Sequence, residues 1–119
     1  MKVHRGDIIL INHPFSDASG WKVRPALVVQ NDQRNAMLAE TIVALITKNL
    51  KYVATDPTQL FIDLNTPDGK ASGLNQDSAV KCGKLFTISE GLIHKRIGVL
   101  SVGLMKQVND CLKRALDLP

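Results

Sequence analysis

Two polar residues lie at the ends of apolar runs, a position from which a side chain can contact a phosphate group. Arg24 opens the run "RPALVVQ", and Thr47 closes the run "TIVALIT". An arginine that precedes the buried part of a strand lies at the rim of a sheet, where its planar guanidinium can bind a phosphate through two parallel hydrogen bonds. The structural alternative is that its stem packs on Trp21 and its head pairs with Asp17 or Asp32. Thr47 has an alternative too, because threonine favours strand ends in general.

The elements that position these residues are predicted to be mainly β. Short apolar, β-branched runs alternate with segments rich in Gly, Pro, Asn and Asp, which is typical of antiparallel strands. A long loop at Asn65–Asp77, dense in turn formers, is expected to be mobile. The predicted strands are Asp7–Asn12, Arg24–Gln30, Thr41–Thr47, Leu60–Leu64 and Ser78–Cys82, with Ile97–Ser101 as a further edge strand.

The C-terminal segment is the one convincing helix. From Ser101 onwards the apolar residues recur at helical spacing on one face, and polar residues occupy the other face. Ser101 is suited to be the N-cap, so the helix should begin there and dock its apolar face on the sheet. A shorter helical turn is predicted at Ser89–Lys95, with Ser89 as its cap.

Composition limits the kinds of protein that this chain can be. Its 119 residues predict a single domain over residues 1–119, and 15 Lys and Arg against 11 Asp and Glu favour a polyanionic partner. Cys82 and Cys111 lack metal-type spacing, and the histidines are scattered, so we expect no metal site and no cofactor. Without a signal-peptide or membrane-span pattern, we expect a cytoplasmic protein in a reducing compartment.

Three signatures in order resemble those of the MazF/PemK-type toxins of bacterial toxin–antitoxin systems. They are "RGDIILI", "VRPALVVQND" and "TIVALIT", followed by "DSAVKCGKLFTIS" at Asp77–Ser89 and by the C-terminal helix. The resemblance implies an SH3-like β barrel with a C-terminal helix, a homodimer, and a metal-independent, sequence-specific endoribonuclease. It also implies a cognate antitoxin whose disordered tail lies along the dimer and competes with single-stranded RNA.

The resemblance places the family's catalytic arginine on Arg24 and its catalytic threonine on Thr47. In metal-free cleavage the 2′-OH of RNA attacks phosphorus and leaves a 2′,3′-cyclic phosphate and a 5′-OH. Arg24 would stabilise the phosphorane, and Thr47 would donate a hydrogen bond to a phosphoryl oxygen. Family members often have an acid or a histidine followed by Gln and Gly before the arginine, and "FSDASGWK" does not match that pattern, so the general base stays open between His13 and Asp17.

RNA binding requires stacking surfaces and a basic groove. Trp21 is the best stacking candidate, with a core or dimer-seam position as the alternative, while Phe15, Phe61 and Phe86 are assigned to the core or to an interface. Lys81 stands where some family members have an arginine, and Gly83 stands where they have an aspartate. The remaining candidates for the basic groove are loop lysines: Lys22, Lys48, Lys51 and Lys84.

Two other functions remain open at this stage. The first is a gyrase poison of the same fold, which would not need Arg24 and Thr47 and would depend mainly on its C-terminal residues. The second is a barrel that binds nucleic acid without cleaving it, which the missing acid at Gly83 makes credible. Cleavage of RNA in EDTA, trapping of gyrase, and binding without turnover distinguish the three.

Overall fold

One antiparallel sheet dominates the fold. A computed structural model describes residues 1–14 and 21–119, and the side chains of residues 13, 14 and 21 are outside that description. The strands are β1 (Asp7–Pro14), β2 (Trp21–Val28), β3 (Glu40–Thr47), β4 (Gln59–Ile62), β5 (Ser78–Ser89) and β6 (Ile93–Val99). The helices are α1 (Asp32–Met37), α2 (Pro67–Ala71) and α3 (Val102–Leu116), with a 3-10 turn at Glu90–Leu92. The prediction of a mainly β fold with a C-terminal helix is confirmed.

The strands are hydrogen-bonded in the order β4-β5-β3-β2-β1-β6, and every neighbouring pair is antiparallel. In the described part of the chain no ladder joins β4 to β6, so the sheet is not closed. Alternate residues of each strand point to opposite faces. We call the face that packs against α3 the helix face, and the opposite face the pocket face.

Both faces carry a core. On the helix face, Ile8, Leu27 and Val80 pack with Val108 and Cys111 of α3. The pocket face has its own buried cluster at one end of the sheet, formed by Val3, Ile9, Ile11, Ala26, Val28, Val43 and Ile88. Burial of a large aliphatic side chain typically contributes about 1.5–3 kcal/mol to stability, so these clusters fix the strands that carry the site.

Helix α3 begins where the sequence predicts. Ser101 is its N-cap, and its Oγ accepts a hydrogen bond from the backbone N–H of Leu104 at 3.2 Å. Helix α1 has no counterpart among the predicted elements; Asn31 caps it by accepting from the N–H of Arg34 at 2.8 Å. No helix in residues 1–14 and 21–119 has the length and apolar character needed to cross a membrane.

Strand β5 is longer than predicted and contains an irregularity. It continues past Cys82 to Ser89, because its second half pairs with β3 as well. Leu45 pairs with Lys81 but its neighbour Ala44 pairs with Leu85, so the residues between them form a bulge. A bulge bends its strand and redirects side chains.

The segment predicted as a mobile loop contains α2 and is packed tightly against β6. A Cβ added to Gly73, which has a φ of +74°, would lie 1.9 Å from the carbonyl oxygen of Ile97. A Cβ on Gly98 would lie 2.2 Å from the carbonyl oxygen of Ser72. The two backbones are therefore in direct contact, and the expectation of a loop throughout this segment is wrong because it contains α2.

The predicted turn at Ser89–Lys95 is correct only at its start. Ser89 caps it by accepting from the N–H of Gly91 at 3.2 Å, but the turn ends at Leu92 and the next residues belong to β6. Strand β6 is an edge strand, as predicted, yet it spans Ile93–Val99 rather than Ile97–Ser101. Strand β2 likewise begins and ends earlier than predicted, at Trp21 and Val28.

Candidate active site

Arg24 and Thr47 lie together at one end of the pocket face. The β2–β3 ladder ends at the pair Ala26 and Leu45. The next outward residues on that face are Arg24 on β2 and Thr47 on β3, and both line a pocket of about 300 Å³. Arg24 is exposed and Thr47 is half-buried, so both are accessible to a ligand. The structure thus brings together the two residues that were singled out from separate runs of sequence.

The hydroxyl of Thr47 is oriented by the turn that follows it. Its Oγ1 accepts a hydrogen bond from the backbone N–H of Asn49 at 3.1 Å, and Asn49 Oδ1 accepts from the N–H of Lys51 at 3.0 Å. Because the oxygen accepts this bond, the hydroxyl proton remains available for donation to a ligand. Asn49 lines the same pocket and was missed by sequence reasoning. A Thr followed two residues later by Asn at a strand end is the local signal that could have indicated this turn.

The pocket is strongly cationic. Lys48, Lys81 and Lys84 line it together with Arg24, and no carboxylate does so among its described lining residues. Two of these lysines, Lys81 and Lys84, lie three residues apart at the bulge in β5. Four positive charges around one concavity attract an anion, and the arginine adds the paired donors that match a phosphate. These lysines were predicted as groove residues, and the structure places them at the pocket.

An aspartate that sequence reasoning missed lies close to Lys81. Asp56 accepts hydrogen bonds from Thr58 Oγ1 at 2.7 Å, from Thr58 N at 2.9 Å and from Gln59 Nε2 at 3.1 Å. These bonds from Thr58, then the one from Gln59 and the charge of Lys81, lower the pKa of Asp56. The position of Gly83 is open, since an added Cβ would meet only Thr58 Oγ1 at 3.7 Å. The carboxylate near Lys81 therefore comes from the approach to β4 and not from β5.

A second pocket adjoins the first at the same end of the sheet. Its volume is about 360 Å³, and it shares Arg24, Pro25 and Lys48 with the first pocket. Lys95 and Asn75 are polar lining residues that the sequence did not indicate. The packed segment around Gly73 forms one wall. Arg24 and Lys48 thus separate two concavities, and a long ligand can contact both.

The other predicted site residues are distributed as follows. Lys22 is half-buried on the same side of β2 as Arg24, and His13 lies directly across from it in the β1–β2 ladder. Trp21 begins β2 opposite Pro14, but its side chain is outside the described part of the structure. Asp17 also lies outside the described residues, as does Phe15.

Asp32 is not a partner of Arg24. It follows the opposite end of β2 and accepts a hydrogen bond from the backbone N–H of Arg5 at 2.6 Å, which lowers the pKa of Asp32.

Phe86 packs against the core of the pocket face, as predicted. Phe61 does not lie in the core, because 41% of this residue is exposed, and its alternative assignment to an interface stays a prediction. Lys51 lies over the ring of Tyr52, with its Nζ 5.3 Å from the ring centre.

A metal site is not evident in the described residues. Residues 1–14 and 21–119 contain no group of three or more His, Cys, Asp or Glu side chains that could hold an ion. The polar residues that line the candidate site are cations and a hydroxyl, together with Asn49. The fold and this pocket together define a class of protein: a small antiparallel sheet with a cationic cleft beyond the end of the β2–β3 ladder.

Comparisons with known proteins identify the family. Residues 4–116 match the family described as PemK-like, MazF-like toxin of type II toxin-antitoxin system. The chain belongs to this family. Endoribonuclease EndoA of Bacillus subtilis is 32% identical over 119 residues, with 99% of this chain and 97% of that protein covered. Endoribonuclease MazF6 of Mycobacterium tuberculosis is 30% identical over 105 residues, with 88% of each chain covered.

A solved structure has the same fold. It is described as an endoribonuclease in complex with its cognate antitoxin from Mycobacterial species, and it superposes with a TM-score of 0.77. Its sequence identity is 22%, over 98% of this chain and 97% of that chain. At that identity the likeness establishes the fold, and the sequence relatives establish the family.

Proposed function

We propose that this protein is the toxin of a type II toxin–antitoxin system and acts as a metal-independent endoribonuclease on single-stranded RNA. The observation that carries the proposal is the pocket in which Arg24 and Thr47 meet among three lysines. The curated relatives are named endoribonucleases, which favours this function over the gyrase poison. Cleavage would stop translation of the affected messages and so inhibit growth.

Arg24 is proposed to hold the scissile phosphate. Arg24 lines the pocket, and a guanidinium can bind two non-bridging oxygens of a phosphate through parallel hydrogen bonds. As the 2′-OH attacks, the phosphorane gains negative charge, and a fixed cation stabilises this state more than the ground state. Arginine remains protonated in proteins, which makes it a poor general base.

Thr47 is proposed to donate its hydroxyl proton to a phosphoryl oxygen. The bond that its oxygen accepts from the N–H of Asn49 at 3.1 Å holds the oxygen in place and leaves the hydroxyl proton available for donation. A donor that is already oriented needs no reorganisation during the reaction. Lys48, Lys81 and Lys84 would hold the neighbouring phosphates and raise the local concentration of RNA.

The remaining roles are assigned by chemistry. A general base must accept the 2′-OH proton, and His13 or Asp17 can do so. Trp21 and Lys22 stay candidates for contacts with RNA.

The chain is proposed to act in the cytoplasm as one domain and as a homodimer. It is also proposed to have an antitoxin as partner, since the structurally similar mycobacterial endoribonuclease was solved with its cognate antitoxin. An acidic or disordered tail could occupy the cationic pocket in place of RNA.

The experiment is cleavage of a long single-stranded RNA in EDTA by the purified protein and by two variants. Arg24→Ala removes the phosphate-binding fork, and Arg114→Ala removes an exposed arginine on α3 as a charge-matched control. We expect discrete fragments with the wild type and with Arg114→Ala, and at least about a hundredfold slower cleavage with Arg24→Ala.

Other outcomes identify the competing functions. Intact RNA with all three proteins, together with tight RNA binding, would point to the non-cleaving barrel. Intact RNA together with trapped gyrase complexes would point to the gyrase poison. Cleavage that is equal in Arg24→Ala and the wild type would remove Arg24 from the reaction.

A further inference from the structure

Phe61 is an exposed aromatic residue on the pocket face. Strand β4 alternates regularly, with Leu60 and Ile62 buried in the core of the helix face. Phe61 lies between them, so its ring is directed to the opposite face, where 41% of the residue is exposed. The ring is therefore accessible on the same face as the proposed site.

The register places this ring in line with Thr47. Phe61 pairs with Ala79 in the β4–β5 ladder, and Ala79 pairs with Thr47 in the β3–β5 ladder. Directly opposed residues project to the same face. Neighbouring strands are about 4.8 Å apart, which puts the backbone of Phe61 about 10 Å from that of Thr47. Ala79, the residue between them in the register, has a small and fully buried side chain.

The charges around the ring favour a polyanion. Lys81 lies on the same face, directly opposite Gln59 and two residues from Ala79. Two carboxylates flank β4 in the sequence: Asp56 accepts hydrogen bonds from Thr58 and Gln59, and Asp63 accepts one from the backbone N–H of Asn65. A ring flanked by a lysine and aligned with a cationic pocket combines the two features of single-strand binding, which are a basic track and an aromatic platform.

We propose that Phe61 stacks on a nucleobase one or two nucleotides from the scissile phosphodiester. The inference rests on the proposed function and assigns a binding residue to it. The ring contributes to RNA affinity and to the placement of the strand, but it does not touch the reacting atoms. Every base has a π face, so this contact tolerates different bases and leaves sequence readout to other groups.

The test uses RNA that binds but is not cut. The cleavage site is first mapped with the wild-type protein. The oligonucleotide then has a 2′-deoxy substitution at the nucleotide whose 2′-OH would attack, so that it cannot be cut. 2-Aminopurine is placed in turn at each of the two positions on either side of that nucleotide. Affinity and fluorescence are measured for the wild type, Phe61→Leu, Phe61→Tyr and Met37→Ala. Met37 is an exposed apolar residue on α1, beyond the opposite end of β2, and serves as the control.

The expected result separates stacking from apolar contact. Phe61→Leu keeps an apolar side chain without a ring and should weaken binding about tenfold, with 2-aminopurine quenching lost at one position. Phe61→Tyr and Met37→Ala should bind like the wild type. The kcat of Phe61→Leu at saturating RNA should stay within about threefold of the wild-type value, because the ring is remote from the reacting atoms.

Three results overturn the inference in distinguishable ways. If the wild type cleaves RNA and Phe61→Leu binds and quenches like it, the stacking role is refuted while the nuclease stands. If Phe61→Leu leaves RNA affinity intact but weakens self-association in sedimentation, the ring belongs to a protein interface. If the wild type cleaves no RNA, the proposed function fails first and the inference falls with it.

Discussion

Replacement of Thr47 by valine removes one hydroxyl from the site with little change of shape. Among residues 1–14 and 21–119, Thr47 Oγ1 has one hydrogen bond that can be lost, the 3.1 Å bond from the N–H of Asn49. Asn49 is exposed, so water can satisfy its N–H after the substitution. The loss should therefore be at most about 1 kcal/mol, and valine's preference for strands offsets part of it.

The expected effect on the reaction is much larger. Removal of one oriented donor to an oxyanion typically lowers kcat by about 10²- to 10³-fold, equivalent to about 2.7–4 kcal/mol. The activity loss should thus exceed the stability loss several times over. Single-turnover cleavage in EDTA, with protein in excess over a fluorescent RNA, measures the chemical step, and thermal unfolding measures stability.

Two variants control this prediction. Thr47→Ser retains the hydroxyl and should keep most of the activity. Thr87→Val makes the same change at an exposed threonine of β5, opposite Ile42 and away from the pocket, and should leave cleavage unchanged. Near-wild-type cleavage by Thr47→Val would refute the donor role, and a loss that matches its fraction unfolded would attribute the effect to folding.

The remaining predictions concern charge and pH. Lys81→Ala should weaken the binding of uncleavable RNA and make the slope of log affinity against log salt concentration shallower by about 0.7, which is the value for one phosphate contact on a single strand. Lys81→Arg keeps the positive charge and should restore the slope. An unchanged slope in Lys81→Ala would show that Lys81 does not contact the RNA. Burial, followed by the nearby Cys111, raises the pKa of Cys82 from 9.0 to about 12. Because the folded pKa is the higher one, this contribution to stability is complete below about pH 9 and is lost as the pH rises towards 12. Denaturant midpoints at pH 8, 9 and 10 should fall less steeply for Cys82→Ala than for the wild type, and parallel slopes would contradict this.

The sequence was most informative where local patterns decide the structure. The near-continuous apolar run "TIVALIT" predicts β3 to within one residue, and the helical spacing after Ser101 predicts α3 together with its cap. Arg24 and Thr47 were identified because each stands at the boundary of an apolar run. Strand boundaries of this kind fix where the side chains emerge from a sheet.

Features that depend on contacts between distant segments could not be predicted in this way. Helix α1 is short, and it is held by Asn35, whose buried amide binds Gln30 and the hydroxyl of Thr41 at 2.7 Å. The docking of residues 65–77 on β6 requires Gly73 and Gly98 to meet across the fold.

The same limit applies to parts of the site. The exposure of Phe61 follows from the β4–β5 register, and that register is set by pairing across the sheet. The closeness of Asp56 to Lys81 has the same origin, since the two residues are distant in sequence. Residues at turns and edges therefore had to be located by the structure.

The chemistry of the RNA ends tests the central claim most directly. RNA is cut by the wild-type protein in EDTA, and the termini of the fragments are identified by their reactivity towards kinase and phosphatase and by mass spectrometry. Attack by the 2′-OH, with Arg24 and Thr47 stabilising the phosphorane, predicts 2′,3′-cyclic phosphate on one fragment and 5′-OH on the other. Fragments with 5′-phosphate and 3′-OH ends, or cleavage that EDTA abolishes, would contradict it.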